Sequence, residues 1–134
     1  MSDELQLFNS HYAKVTIDKK SNTATIIWKR QAVSDEFWEA SHQALQYIAL
    51  GNTRYCIFVH EDTIRIPQEH RLWLKYIGIP EALKFGVKRL ATLSSHNLAF
   101  RTVMNMQDVL FGSKQLHHRC FADRQAMNQW LYDA

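Results

Sequence analysis

Short apolar runs alternate with helix-like stretches along this chain, and the alternation constrains its fold more than any other feature. After two strand-like runs at the start, the order is helix, strand, helix, strand, helix, strand, helix. Strands that alternate with helices typically form a parallel sheet covered by those helices. We therefore predict a single α/β domain over residues 1–134, with a mixed, mostly parallel sheet of about five strands flanked by about four helices.

The sheet is predicted to begin with an antiparallel hairpin. Residues 13–18 and 23–28 have strand-like patterns, and the second run is rich in the β-branched residues that suit a pleated surface. Between them, Ser21 and Asn22 favour a turn because their side chains hydrogen-bond the local backbone. An apolar segment at residues 5–8 leads into the hairpin, and further strands are predicted at residues 55–60, 87–93 and 118–121.

Capping residues and helix breakers set the predicted helix ends. Ser34 is expected to cap the first helix and Gly51 to stop it, and Asp123 is expected to cap the last one. The second helix opens at Pro67 and is interrupted at Gly78 and Pro80. A short helix is then predicted from Pro80 to Phe85, ended by Gly86, and the next helix runs through residues 100–109. Apolar residues at helical spacing define the sides expected to face the sheet, namely Phe37, Ala40, Ala44, Leu45 and Ile48 in the first helix, Leu72, Trp73, Tyr76 and Ile77 in the second, Phe100, Val103 and Met104 in the third, and Ala126, Met127, Trp130 and Leu131 in the last.

Composition limits the class of protein. The net charge of +3 is mild and the basic residues are scattered, so we predict no nucleic-acid partner. No apolar run approaches the roughly 20 residues that span a bilayer, and the acidic start of the chain lacks a secretory pattern. Cys56 and Cys120 both fall in predicted strands and are expected to be buried thiols, which suits a cytoplasmic protein.

Several spaced segments resemble a known family. They are Ile26-Ile27-Trp28 before Ser34-Asp35-Glu36-Phe37, Ile66-Pro67-Gln68-Glu69 leading to Trp73-Leu74, Pro80 ahead of Gly86-Val87-Lys88-Arg89-Leu90-Ala91, and Phe121 with Ala126 and Trp130-Leu131. On these residues the chain resembles the SpoIIAA-like family of small bacterial proteins, which have the STAS (anti-sigma-factor antagonist) fold, over about residues 23–131. The resemblance implies a non-enzymatic module for protein interaction or signalling, or a binder of a small ligand.

The chain departs from that family at its regulatory position. In the regulatory antagonists, a Ser that follows an Asp opens the helix after the third strand, and its phosphorylation blocks a partner kinase. The matching stretch here, residues 63–69, contains no Asp-Ser pair, and Glu69 would repel a phosphate. Thr63 is the remaining candidate, although a loop Thr is more often a turn residue. A Ser-based switch is therefore not predicted.

The carboxyl ends of the predicted strands carry the candidate ligand or partner rim. In open α/β sheets, ligands bind beyond these ends. The competing interpretation, which the sequence favours, is that these residues are ordinary polar loops and helix caps. The candidate rim residues are Arg30, His60, Glu61, Asp62, Thr63, Ser95, His96 and Asn97.

No motif for metal, cofactor or catalysis accompanies the rim. His60, Glu61 and His96 are residue types that zinc binds, but the usual close spacing is missing. Ser95 beside His96 lacks the elbow of a hydrolase, and no glycine-rich phosphate loop occurs. We predict no metal and no cofactor. An enzyme that uses His60 or His96 as a general acid-base residue remains an alternative, because histidine titrates near neutrality.

An aromatic pair on the first helix is the candidate interaction surface. Trp38 follows a core Phe, so it is a candidate for outward exposure near Tyr47, although burial in the core is the favoured interpretation. The sequence thus predicts an interaction module with an unidentified protein partner, and leaves a homodimer open as one form of it. Its alternative is a protein that binds a small apolar or anionic ligand at the rim.

Overall fold

A single mixed sheet organises the molecule. The computed structural model describes residues 3–60, 68–94 and 118–133. Within these residues the sheet has six strands, which lie side by side in the order of the chain. They are β1 (Glu4–Asn9), β2 (Ala13–Asp18), β3 (Thr23–Trp28), β4 (Tyr55–His60), β5 (Arg89–Leu93) and β6 (His118–Phe121).

The strand directions confirm the predicted mixed sheet. β1, β2 and β3 pair antiparallel, and β3, β4, β5 and β6 pair parallel. The extra strand is β1, which forms an edge of the sheet. Its register shifts between Gln6 and Phe8, so the short apolar segment is a strand with an irregularity that a simple alternation pattern does not reveal.

Helices flank the sheet in three segments of the described chain. The first is α1 (Ser34–Ile48), the second combines α2 (Gln68–Trp73), a π-helical turn (Leu74–Gly78) and α3 (Ile79–Lys84), and the last is α4 (Arg124–Tyr132). Four helices were predicted, and the one through residues 100–109 lies outside the described residues.

The helix ends confirm two of the predicted signals and correct one. Asp123 caps α4, since its carboxylate accepts a hydrogen bond of 3.1 Å from the backbone N–H of Ala126. Gly51 follows α1 with a φ of +91°, in the region that favours glycine. The cap of α1 is Val33 rather than Ser34. The Glu36 carboxylate accepts from the Val33 N–H at 2.9 Å and stabilises the start of the helix in place of a hydroxyl.

The second helical segment continues where a break was predicted. The chain stays helical through Gly78 and Pro80 because a π-helical turn absorbs the proline, with the N–H of Ile79 donating to the carbonyl of Leu74. In this segment His70, Gly78 and Ala82 are buried, and the half-buried Leu74 and Ile79 line the space between the segment and the sheet.

The predicted inner side of this segment was therefore largely wrong. Leu72, Tyr76 and Ile77 keep 43%, 63% and 48% of their surface exposed, and Trp73 is half-buried. The apolar stripe begins at Leu72, ahead of the π-helical turn, and the side of α2 that is buried is instead the one that carries His70. In α4, Met127 and Leu131 are buried as predicted, but Ala126 is exposed.

Successive residues of the strands contribute to cores on opposite faces of the sheet. Cys56, on the helix-facing side of β4, packs in a core with Ile48 of α1 and Ala82 of α3. Its neighbour Ile57 packs on the opposite face with Met127 of α4. Successive side chains of a strand point to opposite faces, so α1, α2 and α3 cover one face and α4 covers the other.

Both cysteines carry free thiols. Cys56 is buried, as predicted, and Cys120 is half-buried rather than buried. Among the described residues, no helix has both the length and the apolar character that crossing a bilayer requires.

Candidate ligand cavity

A buried histidine from α2 lies at the centre of the candidate site. His70 is 1% exposed, and its ring packs against those of Phe37, Trp38 and Trp73, with centroids 5.1, 5.2 and 5.8 Å away. Its Nε2 lies 3.2 Å from the Oγ of Ser41 on α1, within hydrogen-bonding distance. Aromatic packing and this hydrogen bond hold the imidazole between the two helices and the sheet.

Two more buried histidines come from the sheet. His60 ends β4 in register with Trp28 of β3, and the two rings stack with centroids 6.3 Å apart. His118 begins β6, and its Nε2 lies 2.9 Å from the Oγ of Thr92 on β5. Both imidazoles are at least 95% buried on the side of the sheet that α1 and α2 cover. The parallel strands therefore present polar groups toward α2, with His60 at the carboxyl end of β4 and His118 at the amino end of β6.

These groups surround a small cavity between the sheet and the helices. Its space is about 350 Å³ up to its opening. Phe58, Leu74 and Ile79 supply apolar walls beside the three imidazoles and the hydroxyls. The lining residues are Trp28, Ser41, Phe58, His60, His70, Leu74, Ile79, Thr92 and His118.

A second, apolar cavity adjoins the first. It measures about 440 Å³ up to its opening and runs along the sheet beneath α3. Both cavities touch Ser41, Phe58, Leu74 and Ile79, so the polar and apolar spaces are neighbours under the same helices. The remaining lining residues are Ala24, Ile26, Ala44, Leu45, Ile48, Cys56, Trp73, Gly78, Ala82 and Leu90.

Burial keeps three of the lining groups uncharged near pH 7. Desolvation, with a smaller repulsion from His70, lowers the pKa of His60 to about 3. Desolvation, with a smaller repulsion from His42, lowers the pKa of His70 to about 4. Desolvation raises the pKa of the Cys56 thiol to about 12. None of the residues lining these two cavities is Asp, Glu, Lys or Arg.

The predicted rim is only partly within the described structure. His60 lies in the polar cavity, and Arg30 is exposed in the loop after β3. The other predicted rim residues, Glu61, Asp62, Thr63, Ser95, His96 and Asn97, lie outside the described residues.

The structure places the two predicted surface aromatics apart. Trp38 is half-buried, and its ring contacts those of His70 and Trp73. Tyr47 is also half-buried and packs instead against the core beneath α3. Neither belongs to a broadly exposed aromatic patch of the described chain.

Sequence reasoning missed Ser41, His70, Thr92 and His118. A weak signal existed for Ser41, a polar residue on the side of α1 that carries Phe37 and Ala44. For the others, the sequence gives no indication that separate strands and a helix bring them to one cavity. Their proximity depends on the sheet order and on the packing of α1 and α2 against the sheet.

The fold and the cavity together define a class of protein, an α/β domain with an uncharged cavity under one helical layer. No family model matches the chain, and neither curated proteins nor solved structures provide a match. Within the described residues, no group of three or more His, Cys, Asp or Glu side chains is arranged to hold a metal ion.

Proposed function

We propose that this protein binds a small organic molecule between its sheet and the helices α1, α2 and α3. One observation carries the proposal. An apolar cavity adjoins a polar one in which hydroxyl and imidazole groups converge.

The lining favours a ligand site. Small-molecule sites typically have mostly apolar walls and a few placed polar groups. Ala82 and Leu90 supply apolar wall in the larger space, and Ser41 and His70 supply polar atoms in the smaller one. The anionic alternative is weaker, because no cationic side chain among the described residues lines either cavity.

Membership of the SpoIIAA-like family remains part of this proposal. The order of elements supports it: an antiparallel start is followed by strands that alternate with helices and run parallel. A binding module, rather than an enzyme, is what the resemblance implies. The bacterial origin, the cytoplasmic location and the absence of catalysis stay predictions.

Filling the cavity tests the proposed function. Ala82→Leu places three extra carbons in the apolar space, whereas Ala126→Leu adds the same group at an exposed position of α4 and serves as the matched control. The probe is 1-aminoanthracene, an uncharged dye whose fluorescence rises in apolar surroundings. We expect saturable binding that Ala82→Leu weakens at least about tenfold and Ala126→Leu leaves unchanged. Absence of dye binding, or equal binding by all three proteins, would overturn the proposal.

A protein-interaction module is the second candidate function. The observation that favours it is the apolar side of the second helical segment, where Leu72, Tyr76 and Ile77 are exposed. Apolar surface of this kind can associate with a partner. The test is light scattering of the wild type and of Leu72→Lys, with Leu50→Lys, at another exposed leucine, as the control. A dimer that only Leu72→Lys dissociates supports a homodimer, and a monomer at all concentrations excludes one.

The enzymatic alternative also stays a prediction. His60 lies in the polar cavity, but His96 lies outside the described residues. Replacing each by Gln and measuring dye binding and host phenotype separates a catalytic role from a binding role.

A further inference from the structure

One buried polar atom in the cavity region has no partner. The Nε2 of His70 is within hydrogen-bonding distance of Ser41, but its Nδ1 is buried without a hydrogen-bond partner in the described part of the chain. An unpaired buried polar atom costs about 1–3 kcal/mol and calls for an explanation. Because the ring lines the polar cavity, a ligand group can supply the missing bond.

Hydrogen-bond chemistry selects the ligand's polar group. A neutral imidazole has one N–H and one lone pair, and the Ser41 hydroxyl can pair with either at Nε2. The Nδ1 of His70 is therefore a donor in one tautomer and an acceptor in the other. A ligand hydroxyl, which both donates and accepts, matches both tautomers, whereas a carbonyl matches only one.

The charge of the ligand is restricted as well. Transfer of an ionised group into this space would remove its water without supplying a fixed counter-charge, which is strongly unfavourable. Burial also lowers the pKa of His70, so the imidazole is not itself a cation near pH 7. Other titratable side chains surround His70. His42 comes from α1, His60 from β4 and His118 from β6, and Glu69 and Arg71 lie beside it on α2. From β3, the neighbouring ring is that of Trp28.

We propose, on the basis of the proposed function, that the ligand is an uncharged amphiphile with a hydroxyl head. The hydroxyl binds at Nδ1 of His70, and the apolar body lies against Ala82 and Leu90 in the adjoining space. The hydroxyl thus pairs with the buried nitrogen, and the apolar body packs against a cavity wall to which Ile48 and Cys56 also belong.

A matched pair of probes tests this proposal on the wild-type protein. 1-Octanol and octanoate share an alkyl chain and differ in head group, and their binding is measured by calorimetry between pH 7 and pH 8. We expect the affinity for 1-octanol to be independent of pH. Octanoate should bind at least about tenfold more weakly at pH 7 and lose about a further tenfold at pH 8, because each bound molecule must bring one proton.

The outcomes separate this inference from the proposed function. Equal, pH-independent binding of octanoate and 1-octanol would overturn the uncharged-ligand inference. Binding of 1-aminoanthracene with no binding of 1-octanol would overturn it as well, while leaving the proposed function intact. Absence of binding by all three probes would overturn both.

Variants at His70 test the hydroxyl contact. His70→Phe keeps an aromatic ring and removes both nitrogens, whereas His70→Gln keeps hydrogen-bonding atoms. We expect His70→Phe to weaken 1-octanol binding about tenfold with little change for 1-aminoanthracene, and His70→Gln to restore part of the loss. Loss of both probes together, or of neither, contradicts the assigned contact, and the wild-type comparison above does not depend on either variant folding.

Discussion

The Oγ of Ser41 and the Nε2 of His70 lie 3.2 Å apart across the interface between α1 and α2. Both residues are at least 95% buried, so this contact joins the two helices away from water. It also leaves the Nδ1 of His70 as the ring atom available to a ligand. One hydrogen bond therefore stabilises the helical layer and presents the polar end of the cavity.

Removing this hydroxyl should destabilise the fold. Ser41→Ala leaves the Nε2 of a buried imidazole unpaired, and we expect the free energy of unfolding to fall by about 1–3 kcal/mol. Urea denaturation of the wild type and the variant measures the change. Gln43→Ala, at an exposed position on the same helix, is the control and should stay within about 0.5 kcal/mol. Equal midpoints for Ser41→Ala and the wild type would mean that the contact contributes nothing.

Acid should destabilise the protein through its buried histidines. The pKa values of His60 and His70 are about 3 and about 4 in the folded protein and near 6.5 in the unfolded chain. The unfolded chain therefore binds more protons below pH 6.5, so stability is highest above that pH and is lost as the pH falls toward 4. The two groups together give a limiting slope of about 2.7 kcal/mol per pH unit.

Urea denaturation at a series of pH values between 7.5 and 5 measures this slope. His70→Phe should remove about half of it, because one of the two depressed pKa values is lost. Gln43→Ala, at an exposed position of α1 without a titratable group, should not change it. A stability that stays constant from pH 7.5 to pH 5 would contradict the burial of neutral imidazoles.

At Gly78 the second helical segment has no room for an added Cβ atom. A Cβ at this position would lie 2.7 Å from the Trp73 ring, closer than real contacts allow. Alanine favours a helix over glycine by about 1 kcal/mol, but crowding of this kind typically costs about 1–3 kcal/mol. We therefore expect Gly78→Ala to lower stability by about 1 kcal/mol. In a Trp73→Leu background the same change should be neutral or stabilising, and an equal loss in both backgrounds would rule out the ring as the cause.

The cap of α4 offers a local test of the last helix. Asp123→Ala removes the carboxylate that accepts from the Ala126 N–H and should cost about 1 kcal/mol. Asp123→Asn keeps an acceptor oxygen and should retain most of the stability. If Asn and Ala are equally destabilising, the cap hydrogen bond is not the source of the effect.

Local sequence signals predicted the strands well. The turn at Ser21 and Asn22 sets the hairpin, and the predicted boundaries of β2, β3, β4 and β6 match the structure. Asn22 has a φ of 55°, in the region that turn residues of its type tolerate. These features depend on neighbouring residues, so the sequence alone is enough to find them.

The inner side of the second helical segment could not be predicted from local sequence signals. This side was mispredicted because α2 turns His70 rather than its apolar stripe toward the sheet, and nothing local in Leu74–Gly78 signals the π-helical turn that follows. The cavity was missed for a related reason. His70, Thr92 and His118 come from separate elements, and only the sheet order brings them together.

The central claim is that the cavity holds an uncharged small molecule. The most direct measurement is a titration of the wild-type protein with 1-octanol, followed by methyl chemical shifts in NMR spectra. We predict saturable shifts for the methyl groups of Ile79, Ala82 and Leu90, which line the apolar cavity, and none for Ala126, which is exposed on α4. Unchanged cavity methyl signals at saturating 1-octanol, or shifts confined to exposed residues, would contradict the account.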